Sequence, residues 1–262
     1  MTAVIAAIWR FRRVLYSSTR TELRKRYAGS LLGPIWPVLY PLLFLGAYLF
    51  LWMVVIDVRF PGMGRLGYVM YVFCGLVPFL LLSESLTAGV TSIRQNIQLV
   101  KSVIMPLELI PVRAVLVALS SHVVGLALLA LLTAINGTLS WRLLLLPLVV
   151  ALQTAALVGA AWIAASFGVL LPDLSQIVNV AIMLLMFVSP IGFTPEMVPP
   201  RFQIALKLNP VSYIVDVYRG VFIATHRTPL LSLVMFAILC PAVFLGGAWI
   251  CSRFKSIVID LE

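Results

Sequence analysis

The sequence predicts an all-α, polytopic membrane protein with six transmembrane helices. Hydrophobic residues make up 62% of the 262 residues and charged residues only 11%. A soluble domain carries about 25% charged residues, so this apolar surplus is too large for one core that faces water. Long uncharged runs recur along the chain, and a helix satisfies every backbone polar group inside a bilayer.

The N-terminal segment, residues 1–30, predicts a cytoplasmic interface helix followed by a basic stretch. Apolar residues recur at helical spacing over residues 4–16, with three arginines between them. This pattern is too charged to span and is typical of a helix that lies in the interface plane. Thr19 and Glu22 have capping-box spacing and predict the start of a second short helix that runs to Arg26.

Six apolar runs are close to or above the length of about 20 residues that a spanning helix needs. They cover residues 31–56, 66–92, 107–135, 143–171, 177–193 and 230–251. Pro34, Pro37 and Pro41 crowd the start of the first run, which suits a broken entrance better than a helix interior. The fifth run is the shortest of the six.

Residues 194–229, between the last two runs, predict an outer re-entrant segment. An apolar stretch of 14 residues, 211–224, is too short to span and predicts a re-entrant or short helix. Asp216 and Arg219 are three residues apart and can pair on one helix face. Irregular backbone at membrane depth needs surrounding protein or a water-filled cavity, so this segment is expected at the outer mouth of a pathway.

The distribution of Lys and Arg predicts that both termini are cytoplasmic. In that orientation, 12 basic residues flank the inner ends of the spans and 7 flank the outer ends. The net charge of +10 is then explained by loops that face an anionic membrane surface, and nucleic acid is not an expected partner.

Motifs that carry catalytic chemistry are absent from the sequence. It contains no H-E-x-x-H, no G-x-S-x-G and no P-loop, so any ATPase must be a separate polypeptide. The three cysteines are widely spaced and predict neither a disulfide framework nor a metal site. His122 follows two serines in the third run, which leaves open a Ser–His dyad or a hydrogen bond between helices. Glu84 in the second run is either functional or paired with Arg94.

Two motifs resemble those of ABC-2-type exporter permeases. Residues 22–37, ELRKRYAGSLLGPIWP, resemble the family's entry motif, and Pro41 fits the proline near the start of the first span. Asn209-Pro210, followed by Tyr218-Arg219, resembles the signature before the last span. The resemblance covers nearly the whole chain and is strongest to permeases that export O antigen, wall teichoic acid or capsule.

The resemblance implies a channel-forming subunit that moves a lipid-linked polysaccharide across the bacterial inner membrane. It implies a homodimer bound to two copies of a nucleotide-binding ATPase subunit, and ATP and Mg would be held by that partner, with no cofactor or metal in this chain. The carrier would be undecaprenyl pyrophosphate, or a glycolipid for capsule. A permease for a drug or small lipid is the alternative, and an intramembrane enzyme is a third hypothesis.

The resemblance also implies four groups of site residues. Candidates for the substrate head group, or for anionic lipid, are Arg24, Lys25 and Arg26. Aromatic candidates for the channel wall, which interfacial belting or helix packing would explain as well, are Tyr27, Trp36, Tyr40, Tyr48 and Trp52. Candidates for ATPase coupling, in the 94–106 loop and after the fourth run, are Arg94, Gln95, Asn96, Lys101 and Asp173. Candidates for an outer gate are Asn209, Pro210, Asp216, Tyr218 and Arg219.

Overall fold

The computed structural model describes residues 2–56, 64–96 and 106–260. Within these ranges the regular structure is helical and no strand occurs, which confirms the all-α prediction. The helices are α1 (Thr2–Arg10), α2 (Arg12–Tyr27), α3 (Trp36–Leu49), α4 (Arg65–Gln95), α5 (Leu109–Ile135), α6 (Leu146–Leu170), α7 (Leu174–Val188), α8 (Gln203–Leu208), α9 (Pro210–Phe222) and α10 (Leu230–Asp260). A π-helix, Phe50–Val55, continues α3, and a 3₁₀ turn, Trp141–Leu145, leads into α6.

Five helical segments of the described chain are long and apolar enough to cross a membrane. They are Trp36–Val55, Arg65–Gln95, Leu109–Ile135, Trp141–Leu170 and Leu230–Phe254. The sixth predicted span corresponds to α7, which has 15 residues. At 1.5 Å per residue it is about 22 Å long, less than the roughly 30 Å of hydrocarbon. The prediction of a multi-pass membrane protein is therefore confirmed, while the count of six stays a prediction.

Helix α7 ends earlier than predicted because a proline follows it. Residues 177–193 were expected to span, but the helix stops at Val188 and Ser189 is extended, with φ −79° and ψ 141°. The residue before a proline is disfavoured in the α-helical conformation, and Pro190 imposes this on Ser189.

The N-terminal helices divide at a different point from the predicted one. The break lies at Phe11, and α2 then continues without interruption to Tyr27. Thr19 lies inside α2, where its hydroxyl donates to the carbonyl of Leu15 at 2.7 Å. The capping-box prediction is wrong because that hydroxyl is satisfied by the carbonyl four residues earlier instead of capping a new helix.

Helix α4 is the centre of the bundle and contacts α3, α5, α6, α7 and α9. Helices α6 and α10 approach closely where Gly159 lies against Gly247. A Cβ added to either glycine would collide with the backbone of the other helix. Small residues let membrane helices approach closely enough for extensive van der Waals contact, and these two glycines do so here.

Two short helices, α8 and α9, precede the last span, and α9 corresponds to the stretch 211–224 that the sequence predicts as a re-entrant or short helix. The side chain of Asn209 accepts a hydrogen bond from the amide of Val211 at 2.9 Å, and Pro210 occupies the first helical turn. This is a standard N-terminal cap, so the Asn-Pro pair sets where α9 begins. Most of α9 is buried against α4 and α10, which places it inside the bundle.

Candidate functional site

A ridge of aromatic side chains winds along the first spanning segment. Its members recur every four residues and are Trp36, Tyr40, Phe44, Tyr48 and Trp52. Trp36 and Tyr40 are 37% and 47% exposed, whereas Tyr48 is 9% exposed and donates to the carbonyl of Met186 on α7. A four-residue step advances about 40° around an α-helix, so the ridge turns from an open face toward α7. Phe44 was missed at the sequence level, although the spacing includes it.

Of the three basic side chains at the end of α2, one is in an ion pair and two are not. Arg26 forms an ion pair and hydrogen bond with Glu84 of α4. Arg24 and Lys25 are exposed and make no ion pair with any described residue. Burial lowers the pKa of Arg26. The hydrogen bond and the negative charge of Glu84 together raise it by more, so the pKa of Arg26 lies above its ordinary value. The expected pairing of Glu84 with Arg94 is wrong, because Arg94 is exposed more than two helical turns away.

The C-terminal end of α4 is tied to α2 and α5 through Arg113. This side chain is only 7% exposed and donates to Asn96 Oδ1 at 2.7 Å and to Ser18 Oγ at 3.1 Å. Glu22 lies 3.9 Å from the same guanidinium. Three elements are therefore joined beside the segment predicted to contact an ATPase.

The coupling candidates occupy two places in the structure. Arg94 and Gln95 are exposed at the end of α4, and Asn96 is held by Arg113. Asp173 is exposed at the start of α7. Lys101 lies outside the described residues. Arg113 was missed at the sequence level because its partners lie 17 and 95 residues away.

A buried polar network joins four helices in the middle of the bundle. Tyr218 of α9 donates to Gln153 Oε1 at 2.5 Å, and its oxygen lies 3.1 Å from His122 Nε2. The His122 ring reaches the carbonyl of Val77 at 3.2 Å through Nδ1, and the Gln153 amide donates to the carbonyl of Pro78 at 2.9 Å. The carbonyl of Val77 can only accept a hydrogen bond, so Nδ1 of His122 carries a proton. In the neutral ring Nε2 is then an acceptor. The single proton of the Tyr218 hydroxyl therefore has two possible acceptors, His122 Nε2 and Gln153 Oε1.

This network decides between the two roles left open for His122. Both ring nitrogens are occupied, by Val77 and by Tyr218. The hydroxyl of Ser120 donates instead to the carbonyl of Val117 at 2.6 Å. No Ser–His dyad is assembled among the described residues, so His122 forms the hydrogen bond between helices.

Arg219 is completely buried near the N-terminal end of α4. Its Nη2 donates to the carbonyls of Pro190 at 2.5 Å and Ile191 at 3.0 Å, and its Nε donates to the carbonyl of Tyr71 at 3.4 Å. The guanidinium carbon also lies 3.4 Å from the centre of the Tyr71 ring. Carbonyl dipoles and an aromatic face thus stabilise a cation that water does not reach.

The predicted pair of Asp216 and Arg219 does not form. Asp216 accepts a hydrogen bond from Ser232 of α10 at 2.7 Å. Arg219 donates instead to the backbone after α7. The same backbone is held by Asn209, whose amide donates to Ser189 Oγ at 2.9 Å. Four of the five outer-gate candidates therefore lie in the packing between α4, α6, α9, α10 and the end of α7, whereas Pro210 is exposed.

Comparison with known proteins shows which family the chain belongs to. The model of the ABC-2 type transporter family matches residues 13–223. The chain belongs to the ABC-2 type transporter family. It is 28% identical over 232 residues to the O-antigen export system permease protein RfbA of Myxococcus xanthus, with 87% of each chain covered. It is 27% identical over 207 residues to a protein of the same name from Klebsiella pneumoniae, with 78% of each chain covered. As a family member the chain is a membrane transport subunit, and it contains no P-loop of its own.

Proposed function

We propose that this chain is the channel-forming permease of an ATP-driven exporter that moves a lipid-linked polysaccharide out of the cytoplasm across a bacterial inner membrane. The main support for this proposal is that relatives covering 78% to 87% of the chain bear the name O-antigen export system permease protein. The aromatic ridge supports this proposal, because exposed rings offer flat apolar faces on which sugar rings can slide.

The complex consists of two copies of the permease and two copies of a separate ATPase subunit, which binds ATP and Mg. The exposed apolar faces of α3 and α7 supply surface for the second copy and for lipid. Both termini are cytoplasmic, which puts the end of α4, residues 94–106 and Asp173 on the side of the ATPase. Arg94 and Asp173 are exposed there and available for contact.

The pyrophosphate of the carrier binds at Arg24 and Lys25. These two side chains are exposed and free of ion pairs with described residues, whereas Arg26 is engaged by Glu84. A phosphate attracts such groups through charge-assisted hydrogen bonds at the membrane surface.

The test is glycan export in cells that depend on this permease. Purification of the wild-type chain should recover the ATPase subunit, and the Arg24→Ala/Lys25→Ala variant should assemble normally but export little glycan. Arg20→Ala is the matched control, because Arg20 is an exposed arginine on the same helix, more than one turn earlier. Normal export by the double variant would refute the head-group site, and ATPase stimulation by small lipids alone would refute the glycan substrate.

A further inference from the structure

A polar cavity of about 470 Å³ lies between α2, α4 and α5, at the end of the bundle that carries the N-terminal helices. Most of its lining side chains are polar or charged, in a chain that is 62% hydrophobic. The cavity is separate from the aromatic ridge except at Tyr40, which lines both. Side chains of this kind suit an occupant that forms hydrogen bonds with them.

The charged groups around the cavity balance one another. Two glutamates and two arginines line it: Arg26 is paired with Glu84, and Arg113 lies 3.9 Å from Glu22. An anionic ligand would need an excess of positive charge, and a lipid tail would leave the charged and hydroxyl groups of the lining without partners. The cavity therefore suits an uncharged ligand that is rich in hydrogen-bonding groups.

One face of α4 presents such hydrogen-bonding groups at regular intervals. Ser83, Thr87, Thr91 and Gln95 are each four residues apart and all line the cavity. Twelve residues of helix correspond to about 18 Å, so the four side chains form a polar ladder along the wall. Ser83 and Gln95 make no hydrogen bond within the part of the chain that the structure describes. Thr87 makes only a long contact of 3.4 Å to Asn179 Oδ1 on α7, and Thr91 makes only a long contact of 3.4 Å to its own helix.

We infer that this cavity is a binding site for the sugar portion of the exported molecule, which contacts the ladder through its hydroxyls. A glycan presents hydroxyls repeatedly along its length, as the ladder requires, and the ring of Tyr40 offers a flat face at the junction with the aromatic ridge. The inference rests on the proposed function. It gives the sugar a site distinct from Arg24 and Lys25, which hold the phosphate.

The experiment measures binding to the permease–ATPase complex in lipid nanodiscs by native mass spectrometry. The probes are undecaprenyl pyrophosphate carrying a short neutral oligosaccharide, the same lipid without sugar, and the free oligosaccharide. The Thr87→Val/Thr91→Val variant removes two hydroxyls with little change in shape. We expect it to bind the sugar-bearing lipid roughly tenfold more weakly, because each lost hydrogen bond to a sugar weakens binding by a few-fold, and to bind the bare lipid unchanged.

Two further variants make the result specific. Thr154→Val is the matched control, since Thr154 lies on α6 and its buried hydroxyl has no partner in the structure. Ala88→Trp fills the cavity from the same wall and should cause the same selective loss without removing a hydroxyl.

Each outcome has one meaning. Loss confined to the sugar-bearing probe supports the cavity, and threonine-dependent binding of the free oligosaccharide supports it while assigning the lipid no part. If the double variant binds both lipids equally weakly, or binds both as well as the wild type does, the cavity is not the sugar site. The proposed function still stands in that case, provided that the wild type binds the sugar-bearing lipid. A wild-type complex that binds no sugar-bearing lipid refutes the proposed function itself.

Discussion

Replacing Tyr218 by Phe tests the buried network most directly, because one hydroxyl serves two side chains. The substitution keeps the ring and removes the oxygen, which leaves Gln153 Oε1 and His122 Nε2 without their partner. Hydrogen bonds between membrane helices contribute about 0.6 kcal/mol on average and up to about 1.7. An unsatisfied buried polar group costs about 1–3 kcal/mol. Together these values predict a destabilisation of about 2–4 kcal/mol.

Tyr213→Phe is the matched control on the same helix. Tyr213 is also buried, but its hydroxyl donates to a single acceptor, the carbonyl of the exposed Lys207. Water can replace that donor, so we expect a loss of only about 0.6 kcal/mol. Thermal unfolding of the purified chain measures both, and at about 2–4 °C per kcal/mol the Tyr218 variant should unfold at least about 4 °C lower. Equal shifts for the two variants would refute the argument that α9 is held by Tyr218.

Three other changes probe separate contacts. Arg219→Lys should lower the unfolding temperature, because one ammonium cannot reproduce the fork that reaches Pro190, Ile191 and Tyr71; an unchanged temperature would contradict the carbonyl site. Glu84→Gln should cost no more than about 1 kcal/mol, because the side chains of this ion pair are 41% and 22% exposed; a larger loss in the same unfolding assay would mean that the pair holds the bundle together. Gly247→Ala should destabilise by about 1–3 kcal/mol through overpacking while Gly246→Ala is tolerated, since a Cβ meets the opposite helix only at Gly247; similar unfolding temperatures for the two variants would show that α6 and α10 can separate.

The helices could be read from the sequence because each depends on local composition. Runs such as 107–135 and 230–251 are uniformly apolar, and the Asn209-Pro210 pair fixes a helix start through its own side chain. The shortfall of α7 came from one local effect, the proline after Ser189, that a hydropathy pattern does not register.

The hydrogen-bond and ion-pair partners of the polar side chains could not be predicted from local composition. Arg26 and Glu84 are 58 residues apart, and the carbonyls that surround Arg219 lie up to 148 residues away. Spacing within a helix suggested Asp216 for Arg219, yet Asp216 bonds to Ser232 of α10 and Arg219 bonds to backbone carbonyls. Gln153 had a usable signal, since it is a lone amide inside an apolar run and such a group must find a buried partner.

Several polar contacts of the bundle share one element, α4. Near its N-terminal end the carbonyl of Tyr71 accepts from Arg219, in the middle Val77 and Pro78 contact the Tyr218 network, and farther along Glu84 holds Arg26. Each contact ties α4 to a different neighbour, and Asn96 just beyond its end is tied to Arg113.

A displacement of the C-terminal end of α4 therefore has two possible results. Either the helix moves as a unit and carries α9 with it, or one of these contacts breaks. The Arg26–Glu84 pair costs least to break, because its side chains are 41% and 22% exposed and water can replace each partner. The contact of Arg219 with the carbonyl of Tyr71 is completely buried, so it is expected to persist after the ion pair has opened.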